Sequence, residues 1–202
     1  GTTELSYSVI FTVAELKELF ISEYVEGQSN GNNRAIELYN PSSSEIDLSN
    51  YIVKQSYNGG GWAIRDGEEM SEYILPLSGS VAGGDVFIIY NNDADQAITD
   101  VGDLGLSYGT GCDGCRVPSF TGDDAIGLFK IEGEDTVLID IVGEELVRGP
   151  WDVAGTVDAT QNYTLIRKYN VSVGNTDWTI SAGTNENDSE WEVYPADYFD
   201  NL

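Results

Sequence analysis

The chain has 202 residues, of which 35 are acidic, 9 are basic and none is histidine, so its formal net charge is −26. A single domain of this size can bury roughly 70% of its unfolded surface without a disulfide framework. The charge disfavours direct binding to nucleic acid or anionic lipid, and the absence of histidine excludes Ser-His-Asp triads and the common zinc sites.

The first 18 residues are predicted to be an N-terminal linker, with or without a short helix. Residues 13–19 have apolar side chains at helical spacing, and Thr12 with Glu15 three positions later has the form of a capping box. Gly1 in place of a start methionine leads us to expect that a leader has been removed. No run approaches the roughly 18 apolar residues that a membrane span requires, so none is predicted.

From residue 19 to residue 202 the period of the apolar residues indicates strands, and we predict one all-β domain, an antiparallel β-sandwich. Segments 85–90 and 137–139 are apolar on both faces and are predicted to be central strands. Residues 91–121 are predicted to be loops outside the sandwich, where binding groups commonly lie. The predicted strands lie near 20–25, 34–39, 50–54, 72–76, 85–90, 126–131, 136–142, 163–168 and 190–194. The predicted core contains Ile21, Ile36, Leu38, Phe87, Ile89, Leu128 and Leu165.

Glu23 alternates with Ile21 and Val25, so a regular strand would turn its carboxylate toward the same side as these apolar groups. A buried carboxylate needs a partner, and the best candidate among the few cations is Arg167, for which Glu37 competes. We predict a structural ion pair among Glu23, Glu37 and Arg167. The alternative is an acidic site that faces a ligand.

Tyr57 and Trp62 are the best candidates for aromatic ligand contacts. They flank a loop containing three consecutive glycines, residues 59–61, and such a loop would leave neighbouring aromatic rings accessible. The alternative is that these rings, like most aromatic residues of a sandwich, pack in the core or under loops.

Two acidic segments offer the oxygen ligands that calcium prefers: the first holds Asp93 and Asp95, the second Asp123 and Asp124. The first begins like an EF-hand loop, but Gln96 stands where the obligatory glycine belongs. The alternative is that both segments are acidic turns that cap strands. We therefore expect either no cofactor or a bound calcium ion.

Cys112 and Cys115 have the spacing of a redox motif or a metal half-site. Two thiolates without histidine cannot complete a zinc tetrahedron within the chain, and the surrounding Gly, Thr and Pro residues favour a turn over a helix. We predict a short-range disulfide in an oxidising compartment. Two free thiols and redox chemistry are the alternatives.

Carboxylate pairs give no usable signal for glycoside hydrolysis, because 35 acidic residues must place some pair at the required separation by chance. The chain is therefore predicted not to be an enzyme.

Several fragments together resemble the lamin-tail domains of bacteria. They are the segments 20–27, 35–41, 47–51, 122–130, 138–143 and 164–168, together with Trp151, Trp191 and residues 199–202. The resemblance implies an immunoglobulin-like β-sandwich of a kind often fused to secreted nucleases or phosphatases. It implies a secreted, periplasmic or cell-surface location.

The function that we expect from this resemblance is a non-catalytic interaction or targeting module of a larger extracellular protein. Its partner would be a protein or a carbohydrate at the cell surface, and no direct binding to nucleic acid is expected. The alternative is an accessory domain that positions substrate for a nuclease or phosphatase whose catalytic domain lies outside this chain.

Overall fold

The computed structural model describes residues 17–202. The predicted helix near residues 13–19 lies largely outside the described residues, and residues 17–19 have no regular structure. In chain order the strands are β1 (Phe20–Glu26), β2 (Arg34–Tyr39), β3 (Ile46–Asp47), β4 (Tyr51–Ser56), β5 (Ile64–Arg65), β6 (Glu68–Glu69), β7 (Ile74–Pro76), β8 (Ser80–Val81), β9 (Val86–Asn91), β10 (Leu104–Leu106), β11 (Ala125–Glu132), β12 (Asp135–Val142), β13 (Tyr163–Arg167) and β14 (Trp191–Pro195). The α-helices are α1 (Gln96–Thr99) and α2 (Trp178–Ala182), and single 3-10 turns span Leu48–Asn50, Tyr57–Gly59, Ser71–Tyr73 and Val117–Ser119.

Two main sheets form an immunoglobulin-like sandwich. The larger has the order β10-β9-β2-β1-β13-β14 and the smaller the order β12-β11-β4-β7, while β3 with β8 and β5 with β6 form two short ribbons. Neighbours in both main sheets are antiparallel except β10, which pairs parallel to β9 after the connection that contains α1. The predicted all-β sandwich is therefore confirmed, with one parallel pair at an edge.

The main core lies between the two sheets, where apolar side chains from alternate strand positions meet. Six of the predicted core residues are fully buried there, and Phe87 packs against them while partly buried. At about 25 cal/mol per Å² of apolar surface, each fully buried large aliphatic side chain contributes roughly 1.5–3 kcal/mol.

The prediction that residues 137–139 form a central strand is wrong, because β12 is an edge strand of the smaller sheet. The register against β11 shifts between Leu128 and Phe129, which leaves Ile139 as an extra residue. Leu138 and Ile139 both pack against the main core, whereas Val137 is 42% exposed. Consecutive apolar residues here reflect a β-bulge and not a strand covered on both faces.

The predicted ion pair between Glu23 and Arg167 does not form, because a second bulge lies in β1. Ile21 pairs with Leu38 and Glu23 with Glu37, so Ser22 is the extra residue. Ile21 therefore faces the main core, while Glu23 lies on the opposite face of the sheet. Arg167, two positions from the core residue Leu165 in β13, lies on the core side. The sheet itself separates the predicted partners, and Glu23 and Arg167 make no ion pair.

Arg167 instead joins the two sheets through Asp140 of β12. Its Nη2 lies 2.6 and 2.7 Å from the two carboxylate oxygens of Asp140, and its Nη1 lies 2.5 Å from Glu190. The guanidinium also stacks on Trp191 at 4.2 Å. Asp140 accepts further hydrogen bonds from the backbone amides of residues 21, 141 and 175, so this buried pair has its polar atoms satisfied.

The outer face of the larger sheet carries a smaller apolar cluster under α1 and residues 199–202. Its fully buried members are Val25, Ala35, Ile88 and Ile98, with Phe199 and Leu202 packed against them. Glu23 lies on this face, where Asn201 donates a hydrogen bond of 2.9 Å to its Oε2. Burial raises the pKa of Glu23 from its ordinary value of 4.5 to about 7, and the nearby charge of Glu37 adds to the rise.

No helix within residues 17–202 has the length and apolar character that crossing a bilayer requires.

Candidate functional site

Three loops meet beside the smaller sheet and line a half-open cavity of about 90 Å³. The first follows β4, the second precedes β7, and the third follows β10. The cavity is lined by Gln55, Tyr57, Arg65, Tyr73, Tyr108, Arg116 and Ser119. We call it the tyrosine–arginine cavity.

The walls of the cavity are stacked tyrosine and arginine side chains. The rings of Tyr57 and Tyr73 lie 5.5 Å apart, and the Arg65 guanidinium lies 5.3 Å from the Tyr57 ring centre. Arg116 lies between Tyr73, at 5.6 Å, and Tyr108, at 4.2 Å. Each cation within about 6 Å of a ring gains roughly 0.5–2 kcal/mol from the ring's negative face, so the stacking holds the cavity open in a defined shape.

Backbone hydrogen bonds fix the third loop against the second. The amide of Gly114 donates to the carbonyl of Ser71, and the amide of Arg116 donates to that of Glu72, each at 2.9 Å. Gly114 has a φ of +66°, and an added Cβ would lie 2.6 Å from Leu75, so only glycine fits this turn. Arg116 is therefore held in place by the backbone as well as by its side chain.

Cys112 and Cys115 form a disulfide with a Cα–Cα distance of 5.7 Å, directly before Arg116. The bond closes the turn that carries Gly114 and leaves Cys115 buried. Only a single 3-10 turn, Val117–Ser119, follows the pair, so the local structure lacks the α-helix N-terminus that lowers the thiol pKa in redox motifs. Its position indicates that it stiffens the loop supporting the cavity.

Unsatisfied polar atoms are concentrated in the side chains of the residues that line this cavity. Among residues 17–202, five buried side-chain atoms have no hydrogen-bond partner, and three of them belong to the lining residues Gln55, Tyr73 and Arg116. Leaving such an atom unpaired costs about 1–3 kcal/mol, and more for a charged group. Buried polar groups without a partner are rare in folded proteins, so three of them in the residues around one cavity mark it as a candidate site.

The hydrogen bonds that these side chains already make define whether each unpaired atom is a donor or an acceptor. Gln55 donates from Nε2 to Asp124 at 2.9 Å, which leaves its Oε1 as a free acceptor. Arg116 donates from Nη1 to Tyr108 at 2.5 Å, while its Nε lies 3.4 Å from Glu72 Oε1 without forming a hydrogen bond. The Tyr73 hydroxyl is the third atom. Burial raises the pKa of Tyr73, and the two nearby arginines oppose that rise, so the hydroxyl stays protonated at neutral pH.

Three larger hollows lack this feature. One of about 430 Å³ lies along β14, one of about 490 Å³ lies between β12 and α2, and one of about 260 Å³ lies beside β3 and the start of β4. None of their lining residues has a buried side-chain nitrogen or oxygen without a hydrogen-bond partner. Size alone therefore does not identify them as binding sites.

Of the two aromatic residues predicted as ligand contacts, Tyr57 lines the cavity and Trp62 does not. Trp62 is half-buried and packs edge-on against Phe129, with ring centres 5.2 Å apart. It covers Gly127, where an added Cβ would lie 2.7 Å from the indole ring. The structure thus gives Trp62 a packing role on the smaller sheet.

The four aspartates predicted as calcium ligands belong to two separate loops, and three of them, Asp95, Asp123 and Asp124, accept hydrogen bonds from protein groups through their side chains, whereas Asp93 accepts only through its backbone carbonyl. Asp95 accepts from the side chains of Asn30 and Asn33. Asp123 forms an ion pair with Arg148 at 2.6 Å, and Asp124 accepts from Gln55 and from the amides of residues 58 and 121. Across residues 17–202, no group of three side chains of the metal-binding types comes together.

Sequence reasoning missed six of the seven lining residues, including both arginines. They lie between positions 55 and 119 with no regular spacing, and only the meeting of three loops brings them together. The sequence feature that could have pointed to this site is the scarcity of arginine: the acidic chain has only five arginines, and two of them line this cavity.

The two facing sheets define an immunoglobulin-like all-β domain, and three of its loops line a small polar cavity. A family model described as Lamin Tail Domain matches residues 12–145, more than half of the chain, so the chain belongs to the lamin tail domain family. The matched stretch includes every residue that lines the cavity. Strands β13 and β14 lie beyond it and complete the larger sheet. A comparison with curated proteins finds no match.

Proposed function

We propose that the chain is a non-catalytic interaction module and that its ligand enters the tyrosine–arginine cavity. The observation that carries this proposal is the concentration of three unpaired buried polar atoms around one cavity. The lining residues include no carboxylate, thiol or histidine that could act as a base or nucleophile. The arrangement suits recognition better than catalysis.

The setting that we propose is a secreted, periplasmic or cell-surface protein of which this domain is one part, with a protein or carbohydrate partner. A net charge of −26 and the disulfide support this setting. The same charge opposes the phosphate contacts on which DNA affinity depends, so we expect no nuclease activity and no DNA binding at physiological salt.

The second candidate is an accessory domain of a secreted nuclease or phosphatase, which would place substrate for a catalytic domain elsewhere in the protein. The reading frame of the whole gene discriminates between the two. A catalytic domain encoded before Gly1 or beyond Leu202 would favour the accessory role.

The binding role is tested by ligand-observed NMR with a mixed set of neutral, cationic and anionic fragments. The wild-type chain is compared with Tyr57→Ala, which alters the cavity, and with Tyr169→Ala, which removes a fully exposed ring elsewhere. Circular dichroism establishes that both variants are folded. We expect fragments that bind wild type and Tyr169→Ala but not Tyr57→Ala. Fragments that bind all three equally, or no binding at all, would refute the role.

A further inference from the structure

We infer that the outer edge of β14 adds an extended basic segment of a partner protein as a further strand of the larger sheet. The segment would carry Lys or Arg at alternate positions, with apolar residues between them. The groove along β14 shares no lining residue with the tyrosine–arginine cavity, so this inference goes beyond the proposed function and does not depend on it.

The hollow of about 430 Å³ along β14 is a groove beside a sheet edge. Four consecutive strand residues, 191–194, line it, and at about 3.3 Å per residue they give about 13 Å of strand. The other lining residues come from positions 154, 156, 168, 186 and 187. β14 is the last strand of the larger sheet, so one side of it has no neighbouring strand among residues 17–202.

The backbone of Val193 faces this open side. The amide of Lys168 donates to the carbonyl of Glu190, which fixes the alternation of hydrogen bonds between β13 and β14. Positions 192 and 194 therefore bond to β13, while the N–H and C=O of Val193 point away from it. The amide of Trp191 follows the same alternation, because it donates to Ser189 Oγ and not to β13.

No group within residues 17–202 occupies the two outward backbone groups of Val193. Val193 is partly exposed, so these groups are not sealed in the core. An antiparallel strand placed in the groove would exchange both hydrogen bonds with Val193, which is the pairing used when proteins add a peptide to a sheet edge.

The three other edges of the two main sheets are shorter or covered. β10 and β7 have three residues each, and β7 ends in Pro76. β12 has eight residues, but Gly174 packs so closely that an added Cβ would lie 2.5 Å from the carbonyl oxygen of Ile139. The edge of β14 is therefore the one best suited to an added strand.

Charge selects a basic partner. Glu186 and Glu192 line the groove, and the one cation among the lining residues, Lys168, donates to the backbone carbonyls of Glu186 and Ser189. The hydroxyl of Tyr194 donates to Glu192 Oε2 at 2.8 Å, which leaves Oε1 of this exposed carboxylate for a second donor. Opposite Glu192 an antiparallel partner would form a non-hydrogen-bonded pair, in which side chains lie closest, so Lys or Arg is favoured there.

Val193 sets the apolar position of the partner. Val193 and Ala154 both pack against the main core and line the groove, so the partner residue opposite Val193 meets apolar surface. A second copy of this chain is disfavoured as the partner, because each copy carries a charge of −26. Exposed Glu192, and Pro195 without an N–H, also protect the edge from pairing with an identical chain.

The test is an NMR titration of the whole chain with acetyl-Lys-Val-Lys-Val-Lys-amide, and with the same peptide carrying Glu in place of Lys, at matched ionic strength. We expect the lysine peptide to shift the amide signals of β14 and to slow hydrogen exchange of the Val193 amide. The glutamate peptide should do neither. A lysine peptide N-methylated at both valines keeps its charge but lacks the N–H that pairs with Val193, so it should not bind.

A charge reversal at the edge separates specific pairing from general attraction. Glu192→Lys should weaken binding of the lysine peptide about three- to tenfold, because attraction becomes repulsion at the closest pair. Glu132→Lys, at an exposed position on β11, changes the net charge equally and should bind the peptide like wild type at physiological salt. Circular dichroism establishes that both variants are folded.

Equal losses in the two variants, or equal binding of the N-methylated peptide, would show attraction by net charge alone and would overturn the inference. Signal shifts confined to other strands, or no binding at millimolar peptide, would also overturn it. So would a Val193 amide that is protected before peptide is added, since the edge would then already be paired. Fragment binding at the tyrosine–arginine cavity is measured separately, so the proposed function survives each of these failures.

Discussion

Glu23 of β1 and Glu37 of β2 are directly paired across the larger sheet, and both are buried on its outer face. Neither makes an ion pair among the residues that the structure describes: Glu23 accepts from Asn201, and Glu37 accepts from Ser22 at 2.6 Å. One oxygen of Glu23 has no partner at all. Burial raises the pKa of each carboxyl group, and the charge of Glu37 adds to the rise at Glu23.

This pairing predicts a pH-dependent effect of Glu23→Gln. The folded protein holds the Glu23 proton up to about pH 7, whereas the ordinary pKa is 4.5. The unfolded chain therefore binds fewer protons between these values, and the Glu23 contribution to stability falls as the pH rises through them. We expect Glu23→Gln to match wild type near pH 4 and to exceed its free energy of unfolding by about 3 kcal/mol at pH 8.

The measurement is urea unfolding of both proteins from pH 4 to pH 8. Glu132→Gln, at an exposed position on β11, is the control and should show no such trend. A constant difference between Glu23→Gln and wild type across the range would show that Glu23 is not protonated in the folded state.

Asp140→Asn is expected to destabilise the fold strongly. It removes one of the two carboxylates that pair with Arg167, which is 1% exposed at its side chain and keeps only Glu190, and breaking a buried ion pair costs about 3–5 kcal/mol. Denaturant unfolding measures the loss. Asp135→Asn, on an exposed position of the same strand, should change stability by less than about 0.5 kcal/mol. Similar losses in the two variants would contradict a special role for the pair.

The disulfide predicts that Cys112 and Cys115 resist alkylation in protein purified without reductant. Mass spectrometry under non-reducing conditions checks this, and two alkylated thiols would contradict it. Replacing both cysteines by serine should lower the free energy of unfolding by no more than about 2 kcal/mol, because the closed loop is short. Hydrogen exchange should become faster around residues 108–116 and stay unchanged in the strands.

Calcium is expected to leave the melting temperature unchanged. Asp95, Asp123 and Asp124 already accept hydrogen bonds from protein groups, so an ion would have to displace these donors. Thermal melts with calcium and with chelator at matched ionic strength test this, since simple screening of the −26 charge also raises stability. A rise specific to calcium, lost on changing Asp93 or Asp123 to Asn, would instead establish the metal site.

The all-β class and the main core could be predicted from local pattern. Alternation of apolar residues places Ile36 and Leu38 on one face of β2 wherever that strand lies, and the neighbouring Asn, Gly and Ser residues end the strands by their own backbone preferences. Such properties depend on a few consecutive residues, so the sequence is sufficient to predict them. The pairing of the cysteines follows in the same way from a separation of three residues.

The partners of the buried charges were decided by the tertiary structure. One extra residue, Ser22, turns Glu23 to the outer face, and one extra residue in β12 accompanies the inward turn of Asp140 toward Arg167. Strand periodicity cannot predict where a bulge falls, because the bulge is set by pairing with another strand. The cavity depends on contacts of still longer range: Tyr57, Tyr73 and Arg116 become neighbours only when the sandwich has folded and brings three separate loops together.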